Sequence, residues 1–202
     1  MDSIEKLAAL FKRFPGVGPR QAERFVHFLL RSSASARREL ADGIRELGAS
    51  VHQCPSCLRF YSGERGTCSI CRDSNRSHEL LIVATDADLS ALERSRTYHG
   101  YYFVLGGTVH LASDKTDKLR LKEMRDRISE LKSRYKDFSE IILAFPANPE
   151  GDATEALVKD ELAEIAKSDD LRITSLGRGL STGSELEYAD PETIKNALAG
   201  RK

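Results

Sequence analysis

Four cysteines have the most definite chemistry of any residue group in the sequence. They stand as two pairs, Cys54-x-x-Cys57 and Cys68-x-x-Cys71, with ten residues between the pairs. Two such pairs can bring four thiolates to the corners of a tetrahedron, with zinc–sulfur distances of about 2.3 Å. Because four thiolates leave no coordination position open, the spacing predicts a structural Zn²⁺ site. Four ordinary buried thiols and a thioredoxin-like Cys-x-x-Cys are the alternatives, and the duplicated spacing favours zinc over both.

A second group combines glycines with basic side chains. Gly16 and Gly18 lie in a Pro-Gly-Val-Gly turn, and a helix is predicted from about residue 19 to 31. On an ideal helix, four basic residues of this segment fall within about 60° of one another, namely Arg20, Arg24, His27 and Arg31. The turn and the start of the helix would offer backbone N–H groups to a phosphate. The pattern therefore predicts contacts to the DNA backbone without base reading, made by Gly16, Gly18, Arg20 and Arg24. A plain helical hairpin with a solvated basic face is the alternative.

Carboxylates follow two apolar runs further along the chain. Asp86 and Asp88 come after the first of these runs, and Glu150 and Asp152 come after the third. In parallel sheets the working residues gather where strands end, so these four carboxylates could hold Mg²⁺ for phosphoryl chemistry. Alternatively, they only cap the helices that follow the strands.

The N-terminal part of the chain is predicted to be helical, so the basic residues described above lie on a helix. A helix is predicted over residues 4–14, where Pro15 ends it, and a second over 19–31. A third carries apolar residues at helical spacing before Gly48 ends it, namely Leu40, Ile44 and Leu47.

The remainder alternates between short apolar strands and helices. Strands are predicted at residues 80–84, 101–105, 141–145 and 171–176. Helices are predicted around 89–94, from about 117 to 135, over 153–167 and from Pro191 onward. This alternation predicts a parallel sheet covered on both faces, so the fold class is α/β, built from several modules.

Charge and composition indicate what the protein binds and in which compartment it is expected. The first 78 residues carry 13 Lys or Arg and 8 Asp or Glu, although the whole chain has a net charge of zero. This asymmetry favours a front half that binds anions. The sequence has neither a membrane-length apolar run nor a signal peptide at its N-terminus, so we expect a cytoplasmic protein whose thiols are reduced.

In their order along almost the whole chain, these features resemble the RecR family of bacterial recombination mediators, and the hairpin resembles the helix-hairpin-helix DNA-binding motif. The matching stretches are residues 14–24 (FPGVGPRQAER), the four cysteines, and residues 104–107 (VLGG), 149–154 (PEGDAT), 177–180 (GRGL) and 186–190 (LEYAD). Each stretch alone is weak, but their order makes the match specific.

The resemblance implies four modules. These are a helix-hairpin-helix region at 1–53, a four-cysteine zinc finger at 54–78, a Toprim-like α/β domain at 79–176 and a C-terminal segment at 177–202. It also implies a homo-oligomeric ring around DNA, expected to be a tetramer. With RecO, and in some settings RecF, such a ring helps to load RecA at single-stranded gaps. The family's basic hairpin residues match Arg20 and Arg24, and its zinc ligands match the four cysteines.

The chain departs from the family at one strand end. Where the family has an acidic residue at the first Toprim position, this sequence has Ala84. The following loop, residues 108–116, lacks the family's glycines and prolines. Both differences count against metal catalysis, and they bear on partner contacts made there.

Two functions from different classes fit these features. The first is a non-catalytic mediator that clamps DNA and binds partner proteins. The second is a Mg²⁺-dependent Toprim enzyme that resembles small primases or nucleases. Such an enzyme needs a carboxylate where Ala84 stands and an Asp-x-Asp pair where Glu150-x-Asp152 stands. The sequence therefore favours the mediator and no enzymatic activity, and it predicts that residues 180–190 are exchanged between subunits.

Overall fold

The computed structural model describes residues 2–111, 119–180, 183 and 185–200. The chain divides into two compact units, Met1–Val51 and His52–Lys202. Within the described ranges, no helix is long and apolar enough to cross a membrane.

The first unit consists of three helices, Ser3–Phe11 (α1), Pro19–Arg31 (α2) and Ala34–Ser50 (α3). A capping box at the start of α1 fixes its first turn, because the Asp2 side chain accepts from the Glu5 N–H and the Glu5 side chain from the Asp2 N–H. The helices α1 and α2 pack as a hairpin in which the Phe11 and Phe25 rings lie 5.5 Å apart. Ala22 and Val26 of α2 are buried.

Helix α3 corrects one sequence prediction. Gly48 does not end this helix, which continues to Ser50. A glycine ends a helix when it takes a left-handed conformation after the last turn, and Gly48 stays helical at a cost of about 1 kcal/mol relative to alanine. The predicted apolar positions of this helix are exposed in the single chain, by 47% at Leu40, 61% at Ile44 and 62% at Leu47.

The second unit is built on a four-stranded parallel sheet in the order β4-β3-β5-β6. Its strands are Glu79–Val83 (β3), Tyr101–Val104 (β4), Glu140–Ala144 (β5) and Arg172–Ser175 (β6). A small two-stranded sheet precedes it, formed by Val51–Gln53 (β1) and Phe60–Ser62 (β2) and followed by the short helix Ser69–Arg72 (α4). The strands are connected by the helices Asp86–Ser95 (α5), Leu121–Arg134 (α6) and Pro149–Asp169 (α7). The last strand is followed by a 3-10 turn at Leu186–Tyr188 and by the helix Pro191–Ala199 (α8).

The two faces of the large sheet bury different partners. One face packs its side chains against α6 and α7, and this cluster includes Leu80, Ile82, Phe103, Ile128 and Val158. The other face packs against α5 and against the segment that carries the cysteines, and this cluster includes Leu81, Val83, Tyr102, Leu89 and Ile70. The strand period of two residues produces this division. The predicted α/β architecture with a covered parallel sheet is therefore confirmed.

Element boundaries show where local capping overrides periodicity. The four predicted strands are confirmed to within one residue at each end. Helix α7 begins at Pro149 rather than at residue 153, because the Asn148 side chain caps it and proline suits the first helical position. Helix α1 ends at Phe11, before the predicted residue 14. Helix α6 begins at Leu121, and the predicted start near residue 117 lies outside the described residues.

Candidate functional site

The four cysteines come together as predicted from their spacing. Their sulfur atoms all lie within 4.8 Å of one another, and the Cys57 and Cys68 sulfurs are 3.6 Å apart. Four sulfurs at about 2.3 Å from one ion would be separated by about 3.8 Å. Cys54, Cys57 and Cys68 are fully buried and Cys71 is 6% exposed, and all four are free thiols. The donor set and its size thus fit one tetrahedrally coordinated metal ion.

The backbone around the cysteines forms two tight knuckles. The Leu58 N–H donates to the Cys54 carbonyl at 2.9 Å, and Leu58 takes a left-handed conformation with φ of 59°. At the second knuckle, the Cys68 N–H points at the Cys54 sulfur at 3.4 Å. Hydrogen bonds from the neighbouring thiols, that of Cys57 first, lower the pKa of Cys54. Hydrogen bonds within the cluster, those with Cys54 first, raise the pKa of Cys57 and Cys71. The thiols by themselves therefore favour negative charge at Cys54 rather than at all four sulfurs.

Hydrogen bonds fasten the cysteine segment to the large sheet. The Val104 N–H, on edge strand β4, donates to the Cys57 carbonyl at 2.9 Å. The Arg120 Nη1 donates at 3.0 Å to the Leu58 carbonyl and at 3.0 Å to the Val104 carbonyl. The Asp86 Oδ1 accepts from the Phe60 N–H at 2.7 Å. The knuckles and the sheet edge are therefore held in one hydrogen-bonded layer.

An ion pair ties the chain that follows the knuckles to α5. Both terminal nitrogens of Arg76 donate to the Glu93 carboxylate at 2.9 Å, and Nη1 also donates to the Gly100 carbonyl. Burial alone would raise the pKa of Glu93, but the hydrogen bonds and charge of Arg76 hold it below its usual value. Glu93 therefore stays ionised in the folded protein, where the forked pair is partly shielded from water.

The hairpin turn has the geometry of an anion-binding helix start. Gly16 has φ of 74°, a left-handed conformation that glycine adopts without strain. Gly18 is the N-cap of α2, and among the described residues no side chain caps this helix. The N–H groups of its first turn therefore remain available to an anion. The Arg20 and Arg24 side chains are exposed, on the side of α2 away from buried Ala22 and Val26.

The four carboxylates at the strand ends do not converge on a metal site. Across the described part of the chain, the four cysteines are the only group of three or more metal-binding side chains close enough to share an ion. Each carboxylate instead contacts another group of the protein. Asp88 accepts from the Thr85 N–H and hydroxyl in the capping box of α5, and Asp86 accepts from Phe60.

The other two carboxylates lie at the start of α7. Asp152 pairs with Arg178 at 2.6 Å, and Glu150 lies 3.4 Å from the His110 Nδ1. Gly151 between them is required by space, because a Cβ there would lie 1.9 Å from the Pro146 carbonyl oxygen. All four carboxylates lie in the first turn of α5 or α7, as the capping alternative expects, and Asp88 in addition completes a capping box.

Ala84 lies at the end of β3, where it lines a cleft of about 300 Å³ together with Thr85, Asp88, Gly106 and His110. Its side chain is buried. The end of the first sheet strand therefore presents a methyl group to this cleft. Of the divergent loop at 108–116, the structure describes residues 108–111.

Several site residues were missed by sequence reasoning. Arg120 and Arg178 bind carbonyl and carboxylate groups far away in the sequence, and no local pattern indicates such partners. Arg178 lies in the Gly-Arg-Gly-Leu stretch, but that stretch did not reveal its partner. Arg127 is an arginine beside the apolar positions of α6, and this break in an apolar stripe was an available signal.

A helical hairpin followed by a parallel sheet with this connectivity defines a protein of the helix-hairpin-helix and Toprim class. Models of known families agree, matching residues 4–47 as the RecR helix-hairpin-helix region, 78–176 as a Toprim domain and 179–202 as the RecR C-terminal region. The chain belongs to the RecR family, because proteins named recombination protein RecR match it from end to end at 35–37% identity.

Three such relatives come from different bacteria. The protein of Myxococcus xanthus is 37% identical over 203 residues, which cover 100% of this chain and 98% of that protein. That of Prochlorococcus marinus subsp. pastoris is 36% identical over 200 residues, 98% of this chain and 94% of that protein. That of Rubrobacter xylanophilus is 35% identical over 202 residues, 99% of this chain and 96% of that protein.

Proposed function

We propose that this protein is a non-catalytic DNA recombination mediator that grips the DNA backbone through its N-terminal hairpin. The observation that carries the proposal is the whole-length match to RecR proteins, in a chain whose Toprim carboxylates are bound internally. As a member of this family, the chain is a recombination mediator rather than an enzyme.

The glycine turn and the basic side chains of the hairpin favour binding to the DNA backbone. Gly16 and Gly18 allow a phosphate to approach the uncapped start of α2, and Arg20 and Arg24 add positive charge on the exposed side of the same helix. Such contacts neutralise phosphates and release counterions, so binding should weaken as salt rises. They carry no sequence information, so affinity should be nearly independent of base sequence.

The DNA contact is tested by charge reversal. The double variant Arg20→Glu, Arg24→Glu should weaken duplex binding equally across unrelated sequences, and should reduce the log–log salt slope by about one unit per lost contact. A matched control is Arg38→Glu, Arg45→Glu, which makes the same charge change at exposed positions of α3. If both double variants bind alike, net charge rather than the hairpin governs affinity. Unchanged binding by the hairpin variant at moderate salt would remove the hairpin from the site.

We propose that Cys54, Cys57, Cys68 and Cys71 hold one structural Zn²⁺. The mutual distances of the sulfur atoms and their burial support this assignment. When bound, the ion would supply a cross-link between the two knuckles rather than a reactive centre, because four thiolates complete its coordination. The reducing cytoplasm, where we place the protein, keeps such thiols available.

The same proposal extends to modules and partners. We retain the division into residues 1–53, 54–78, 79–176 and 177–202. We propose a ring-shaped homo-oligomer, expected to be a tetramer, that binds RecO and, in some settings, RecF to load RecA at gaps. Exposed apolar side chains on α3 and at Leu186 support self-association, since each would be more stable buried. Light scattering coupled to size exclusion, with and without a DNA duplex, tests assembly, and a persistent monomer would refute the ring.

A further inference from the structure

Arg127 of α6 is buried beside the cysteine cluster. Its side chain is 4% exposed, and within the described residues it is the only buried residue that carries a charge. Its neighbours Met124, Ile128 and Leu131 on the same helix pack into the apolar core. An arginine at such a position requires a specific partner, because long cationic side chains are seldom buried without one.

The contacts around this guanidinium group point toward the cysteines. Nη2 lies 4.0 Å from the Cys71 sulfur, and the guanidinium carbon lies 5.5 Å from the centre of the Tyr101 ring. Nη1 donates to Glu130 at 2.7 Å. The Nε atom is buried with no hydrogen-bond partner among the residues that the structure describes. The group is thus only partly satisfied by the protein alone.

Glu130 is an incomplete counterion for this buried charge. Its side chain is 48% exposed, so water screens its charge and weakens the pair. Removing a guanidinium group from water is costly unless charge and hydrogen bonds replace the lost hydration. Four neutral thiols would contribute little to that replacement. A zinc ion held by four thiolates carries a net negative charge, and Cys71 would bring one of its ligands to the guanidinium.

We propose that Arg127 is a positioning residue for the metal centre. Its cation balances the charge of the metal–thiolate group and orients Cys71, and it thereby couples metal binding to the docking of the knuckles on α6. The inference rests on the zinc site proposed above and extends it to a residue outside the cysteine motif. Tyr101 supports the arrangement from the same side, since its hydroxyl donates to the Asp73 carbonyl, two residues beyond Cys71, at 3.2 Å.

The first experiment measures how firmly full-length protein holds zinc. Zinc transfer to a chromogenic chelator is followed for wild type, Arg127→Met, Arg127→Lys and the control Arg125→Met. Arg125 lies on the same helix, is 41% exposed and pairs with Glu161 instead. Loss of an outer-shell partner typically costs about 10- to 100-fold in metal affinity, so Arg127→Met should weaken zinc binding at least about tenfold. Arg127→Lys should recover most of the loss, and Arg125→Met should match wild type.

The second experiment separates charge balance from packing. Melting temperatures are compared for zinc-loaded and zinc-free protein, both kept reduced. If Arg127 serves the metal centre, Arg127→Met lowers the melting temperature of the loaded form and leaves that of the zinc-free form unchanged or higher. If Arg127 only fills space, both forms lose stability equally. Equal loss would overturn the proposal, as would wild-type zinc retention by Arg127→Met.

A third variant keeps the test decisive if Arg127→Met fails to fold. Glu130→Gln removes the competing counterion and leaves Arg127 in place, so zinc should be held at least as firmly as in wild type. If Glu130→Gln binds zinc about tenfold or more weakly than wild type, Arg127 serves the ion pair with Glu130 rather than the metal centre, and the proposal is wrong. A wild type that binds no zinc would refute the metal site itself, whereas a zinc-binding wild type matched by Arg127→Met would refute only the role of Arg127.

Discussion

Removing the Asp86 carboxylate should loosen, at Phe60, the attachment of the cysteine segment to the start of α5. Asp86 accepts from the Phe60 N–H at 2.7 Å and lies in the first turn of α5. A hydrogen bond to a charged group contributes about 1.5–3 kcal/mol. Phe60 is 55% exposed, so water compensates part of the loss in Asp86→Ala, and the lower end of the range applies. Loss of a first-turn carboxylate adds about 0.3–1 kcal/mol.

The assay for this change is hydrogen exchange at the Phe60 amide. A local loss of about 1.5 kcal/mol corresponds to roughly tenfold faster exchange, because each ~1.4 kcal/mol is a factor of ten. Asp86→Asn, which keeps an acceptor but not its charge, should fall between wild type and Asp86→Ala. Asp88→Ala is the matched control, since it breaks the capping box of α5 without touching Phe60. Unchanged exchange in Asp86→Ala, or equal acceleration in both alanine variants, would refute the anchoring role.

Three further predictions concern the metal, pH and assembly. Elemental analysis should find about one zinc per chain, and Cys57→Ser should lose the metal together with local folding, because site and fold form together. The lowered pKa of Glu93 adds stability that is present above its usual pKa of 4.5 and is lost as pH falls toward the folded-state value. Melting curves from about pH 6 to 3 should therefore drop less steeply for Glu93→Gln than for wild type. Truncation before Leu180 should yield smaller oligomers by light scattering, and an unchanged mass would rule out subunit exchange through this segment.

Sequence reasoning located the elements because short-range patterns determine them. The period of the apolar residues predicted the four strands, and Pro19 and Pro191 predicted two helix starts that the structure confirms. The paired cysteine spacing predicted a cluster that the structure brings together. Gly48 misled because glycine permits a helix end without requiring one.

Long-range contacts could not be predicted in the same way. The partner of Asp152 is Arg178, and that of Asp86 is a backbone N–H 26 residues away. Nothing local to either aspartate indicates whether it binds metal, caps a helix or pairs with a distant group. The partner of each carboxylate is determined by how the sheet packs, and in this protein the carboxylates bind other groups of the same chain.

The bond from Val104 to the Cys57 carbonyl also bears on how the chain avoids aggregation. Strand β4, with the sequence Tyr-Tyr-Phe-Val, is one border of the sheet, and an uncovered border strand of this composition is a template for pairing with other chains. In the folded protein the knuckle at Cys57 hydrogen-bonds to the last residue of this strand, and the cysteines pack with Tyr102 and Val104. If the knuckles open, the same strand becomes an aggregation site, so Cys57→Ser should make the protein less soluble. The four cysteines then protect the sheet from misassembly between copies.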